Sequence, residues 1–70
     1  MKFRKRVGLN IRNLRNSRGL SQEQLGLAAE VDRSYISEVE LAKNSASLDV
    51  LERIADALGV DPKELCNERG

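Results

Sequence analysis

The run VDRSYISEVE, residues 31–40, sets unlike side chains at helical spacing. Wound as an α-helix, it turns Ile36 and Val39 to one side and Arg33, Ser34, Ser37 and Glu38 to the other. That polar side is not the lysine–glutamate mixture of an ordinary solvated surface. Arg33 carries a forked set of N–H donors, Glu38 when ionised only acceptors, and the two serines are short hydroxyls able to do either. Tyr35 adds a phenol beside them. The chain has no histidine, no glycine-rich phosphate loop and no carboxylate pair placed in a recognisable cleft. Cys66 has no base partner visible in the sequence and reads as a half-buried packing residue rather than a nucleophile. No enzyme is expected.

The composition narrows the partners. Seventy residues make one domain at most, and a core of this size supplies only about 3–5 kcal/mol, so association is a common supplement. With no histidine and one cysteine, Cys/His metal sites are nearly excluded and an intrachain disulfide is impossible. Neither a metal nor a cofactor is expected. No apolar run approaches a membrane span, and no signal-peptide core follows the basic start. These features predict a soluble, cytoplasmic chain with no membrane contact. Net charge is only +1, but Met1 to Arg18 holds seven basic residues and no acidic one, while Gly19 onward holds five basic and eleven acidic. A basic end on a neutral molecule attracts a polyanion; the plainer reading is a solubilising N-terminus.

The elements that must position the polar face read as five short helices without a strand. Val7, Ile11 and Leu14 mark a first helix that Gly19 stops. Ser21 and Gln24 have the form of a capping box for a second, which buries Leu25, Ala28 and Ala29. Asp32 can cap the third. After the polar connection KNSAS, Ser47 caps a fourth helix with an apolar stripe of Leu48, Leu51, Ile54, Ala55 and Leu58, closed by Gly59. Asp61, Pro62 and Glu64 restart a short fifth. Helices two and three are separated by only a few residues, the spacing of a helix-turn-helix.

IRNLR, GLSQEQL, VDRSYISEVE and LDVLERIADALGV, in that order, resemble the helix-turn-helix domain of the phage-repressor and Cro-like (XRE-type) transcriptional regulators. The resemblance runs from Val7 to Val60. It implies an all-α, five-helix lambda-repressor-like domain over 7–66, between a basic N-terminal segment, 1–6, and a tail, 67–70. It also implies a third helix in the major groove of double-stranded DNA. Arg33 then suits bidentate pairing with guanine, and Glu38 the amino group of cytosine. Ser34 and Ser37 can meet bases or phosphates, and Tyr35 a phosphate or a thymine methyl. The plainer alternatives are that Arg33 and Glu38 are solvated, or that Glu38 orients Arg33 without touching a base. Gln22, Lys43 and Asn44 match positions that grip the DNA backbone, with Ser45 and Ser21 as helpers, although Ser21 serves better as a cap. Arg15 and Glu40 match a structural bridge between the first helix and the end of the third.

The chain also departs from the family pattern. Glu30 stands where glycine is usual in the turn, at a cost of about 1 kcal/mol or more if the conformation is left-handed. Leu41 to Ala46 lack the usual leading basic residue, glycine and proline, and Gly26 replaces an alanine. The resemblance implies a homodimer through the C-terminal part, Val60 to Cys66, facing a palindromic operator. Leu9, Leu27 and Leu41 fall on otherwise polar faces and are further contact candidates. An antitoxin or protein-interaction module on the same fold is the alternative. No small-molecule ligand is expected.

Overall fold

Four α-helices and one 3-10 turn are present in the computed structural model, which describes residues 2–67. They are α1 (Lys2–Ser17), α2 (Gln22–Ala29), α3 (Arg33–Glu40), α4 (Leu48–Leu58) and the 3-10 turn Pro62–Leu65. All five expected elements occur, and no strand occurs among the described residues. The fifth is a 3-10 turn: the Glu64 N–H bonds the Asp61 carbonyl at 2.8 Å and the Cys66 N–H the Lys63 carbonyl at 3.0 Å, each three residues back. Of the expected tail 67–70, all but Asn67 lies outside the described residues.

Helix α1 begins at Lys2, so the basic segment is helical and not a separate arm. Its first turn has no acidic residue to complement the helix dipole. Its apolar side continues to Phe3, one turn before Val7, which stays 51% exposed and lines a cleft with Val7, Val39, Ala46 and Leu51. The helix keeps an unopposed positive end.

The caps set where the other helices start and stop. Ser21 Oγ accepts from the Gln24 N–H at 3.0 Å, and Gln24 Oε1 accepts from the Ser21 N–H at 2.8 Å. Ser47 accepts from the Val50 N–H, and Gly59 closes α4 at φ 74°. Asp32 occupies the start of α3, yet its carboxylate makes no cap bond. Its carbonyl takes the N–H groups of Tyr35 and Ile36 instead.

Glu30 adopts the left-handed conformation, φ 59°, that glycine usually fills. The strain is tolerated because the turn is tied on both sides. The Glu30 N–H reaches the carbonyls of Gly26 and Leu27, while Arg53 donates to those of Ala29 and Glu30. Gly26 is required by the same turn: a Cβ there would lie 2.6 Å from the Val31 carbonyl oxygen. Ala28, expected in the core, is exposed.

Val7, Ile11, Leu25, Ala29, Ile36, Val39, Ile54, Ala55, Leu58 and Leu65 form the core. Leu48, expected on the buried stripe, is 83% exposed, since the first turn of α4 projects past that core. Asn10 is the one fully buried polar side chain among the described residues. Its amide donates to the carbonyls of Leu65 at 2.9 Å and Asn67 at 2.7 Å, fastening the C-terminal turn to α1. Asn10→Ala strands both carbonyls and should cost about 1–2 kcal/mol in urea denaturation. Amide exchange in the Pro62–Leu65 turn should accelerate more than exchange in α2. Equal acceleration in both would show that Asn10 does not fasten that turn.

Candidate nucleic-acid interface

Helix α3 divides cleanly. Ile36 and Val39 are buried against α1 and α2, while Arg33, Ser34 and Glu38 are exposed and Ser37 half-buried. The Arg33 guanidinium has no protein partner among the described residues. It stands at the helix start, free to be satisfied from outside.

The loop after α3 is organised by the helix itself. The Tyr35 hydroxyl donates to the Ser45 carbonyl at 3.3 Å, with its ring packed on the core. Asn44 Nδ2 donates to Glu38 Oε1 at 3.2 Å, and the Lys43 N–H to the Glu38 carbonyl at 2.8 Å. Glu38 is therefore oriented by Asn44, not by Arg33. Ala42, at φ 62°, supplies the bend that a glycine usually would. These contacts fix Lys43 and Ser45, both exposed, beside the open face of α3.

Behind α3, Arg15 Nε donates to Glu40 Oε2 at 2.7 Å and its NH2 group to Oε1 at 3.1 Å, a two-pronged ion pair. The side chains retain 12% and 3% of their accessible surface. Arg15 NH1 also donates to the Leu20 carbonyl at 2.8 Å. Gln22, expected at the DNA backbone, is half-buried and donates to Glu40 Oε1 at 3.1 Å. Its position at the first turn of α2 is thus set by the same carboxylate that holds α1 to α3.

Two further arginines have structural duties without a local signature. Arg18 Nε donates to the Leu58 carbonyl, joining the ends of α1 and α4. Arg53 ties down the α2–α3 turn as described above. Neither has a local motif, because each acts on carbonyls more than twenty residues away. The tight approach at Gly8 was equally hidden. A Cβ there would lie 2.7 Å from the Glu40 carbonyl oxygen and nearer still to that of Val39.

A family model described as a helix-turn-helix (HTH_3) matches residues 11–65. The chain belongs to this XRE-type helix-turn-helix family. Control protein C.BamHI of Bacillus amyloliquefaciens is 42% identical over 59 residues, covering 83% of this chain and 73% of that protein. The immunity repressor of Bacillus phage phi105 is 37% identical over 62 residues, but the chain spans only 43% of its length. Among solved structures, the restriction-modification controller C.AhdI from Aeromonas hydrophila superposes with a TM-score of 0.90 at 37% identity. That match covers 93% of this chain and 98% of C.AhdI. These XRE-type relatives are transcription regulators, not enzymes. No helix among the described residues is long and apolar enough to cross a membrane.

Proposed function

We propose that this XRE-type chain is a sequence-specific DNA-binding regulator of the restriction-modification controller kind, acting as a homodimer on a palindromic operator. The observation that carries the reading is the open face of α3, with Arg33 exposed and unpartnered at its start. Arg33 and the serines read base edges, with Glu38 and Asn44 as a linked pair at the far end. Gln22, Lys43 and Ser45 take phosphates on either side. Similarity to C.BamHI and C.AhdI over most of each protein supports the controller assignment.

The dimer brings two copies of α3 about one DNA turn apart. Leu48 and Leu51 line a groove with Pro62, Lys63 and Cys66, next to the Val60–Cys66 segment expected to pair. Burying the exposed Leu48 there supplements a small core. Whether the regulator blocks or touches polymerase is set by where the operator lies relative to the promoter.

Selection of bound duplexes from a random pool tests the reading. It should yield a palindrome with half-sites about one helical turn apart. Arg33→Ala should then relax one base position per half-site, at about 1–3 kcal/mol of lost discrimination. No enrichment, with weak binding insensitive to salt, would replace the reading with a protein-interaction module.

A further inference from the structure

Seven of the twelve basic residues fall within the first eighteen positions, and their structural duties are unequal. Arg15 is neutralised by Glu40, and Arg18 is spent on the Leu58 carbonyl. Arg4 and Arg12 are both exposed and have no hydrogen bond or ion pair among the described residues. They stand at i−4 and i+4 from Gly8, so the three residues form one stripe along α1. Gly8 presses that stripe onto the last carbonyls of α3, those of Val39 and Glu40. The two arginines consequently bracket the C-terminal end of α3, separated by about 12 Å along the axis.

What each arginine faces is specific. Arg4 lines a cleft of about 200 Å³ with Asn44 and Ser45, in the loop after α3. Arg12 lines another of about 250 Å³ with Gln22, Ser37 and Leu41. Asn44 and Ser45 on one side and Gln22 on the other are at positions matched to the DNA backbone, on the two flanks of the recognition helix. A free guanidinium beside each supplies the positive charge that the loop, short of basic residues, lacks.

We infer that Arg4 and Arg12 are two further phosphate-binding residues of the DNA interface, one on each flank of α3. The inference rests on the DNA-binding reading and adds α1 as a third element touching the duplex. Guanidinium groups so placed grip phosphates without reading bases, so they contribute affinity and salt dependence but no sequence preference.

The test is binding of the pool-selected duplex and of a scrambled duplex across a range of salt concentrations. Proteins compared are the wild type, Arg4→Gln, Arg12→Gln, their double variant, and Arg6→Gln. Arg6 lies on the opposite side of α1 from Gly8 and serves as a control of equal charge. Each of Arg4→Gln and Arg12→Gln should make the slope of log K against log salt shallower by about 0.9, and the double variant by about 1.8. Both duplexes should weaken by the same factor, leaving the specificity ratio unchanged, and Arg6→Gln should keep the wild-type slope. Wild-type slopes in the Arg4 and Arg12 variants, or an equal change in Arg6→Gln, would overturn the inference while leaving the DNA-binding reading intact. Absence of salt-dependent binding by the wild type would sink that reading and this inference together.

Discussion

Arg15→Ala is expected to remove most of the stability of the isolated domain. The side chain holds both oxygens of Glu40 and the Leu20 carbonyl, and it retains little solvent access. Its loss leaves a carboxylate with 3% exposure whose remaining partner is the Gln22 amide. Breaking a buried pair from one side costs about 3–5 kcal/mol, because the surviving charge is neither solvated nor compensated. That is comparable to the whole stability a core of this size supplies, about 3–5 kcal/mol. Replacing both partners with apolar residues removes the stranded charge as well as the attraction. The double variant Arg15→Met/Glu40→Leu should therefore recover most of the loss. Urea denaturation of wild type, single and double variants gives the comparison. A single-variant cost below about 1 kcal/mol would mean a pair energetically equivalent to a surface one, despite its burial.

How much of this was legible beforehand depends on the range of each interaction. Ser21 with Gln24, Ser47, Gly59 and Asp61 announce helix ends within four residues, and each does in the structure what local chemistry requires. Asp32 shows the limit: the residue type suits a cap and the backbone is right, yet the carboxylate is not used. The apolar spacing located the core of α1, α3 and most of α4. It failed at Leu48 and Ala28, where periodicity continues but no neighbouring element covers the face. The start of α1 was missed because its basic first turn argues against a helix. The cleft that Phe3 lines there with Val39 and Leu51 is formed by residues far apart in sequence. At the interface, the resemblance supplied the positions, but the state of each side chain needed coordinates. Glu38 turns to Asn44, Gln22 to Glu40, and Tyr35 to the Ser45 carbonyl, while Arg33 has no partner among the described residues.

Gly8→Ala is expected to destabilise the protein by about 3 kcal/mol, the upper end of what overpacking costs. Helix propensity predicts the opposite sign. Gly8 lies in the middle of a sixteen-residue helix, where alanine is favoured by about 1 kcal/mol. Contact decides, because the atoms that an added Cβ would meet are backbone carbonyl oxygens of Val39 and Glu40, the latter at 2.7 Å. No rotamer change clears them. Helix α1 would have to lift from α3, drawing Val7 and Ile11 off the core and lengthening the Arg15–Glu40 pair. Both losses follow from one displacement. The exposed neighbour Asn13 gives the control: Asn13→Ala meets no opposing backbone and should stabilise by a few tenths of a kcal/mol. Denaturation midpoints of Gly8→Ala and Asn13→Ala against the wild type separate the alternatives. If Gly8→Ala matches Asn13→Ala in sign and size, the two helices cross more loosely than the carbonyl contacts require. The arginines flanking Gly8 would then not be held against the end of α3.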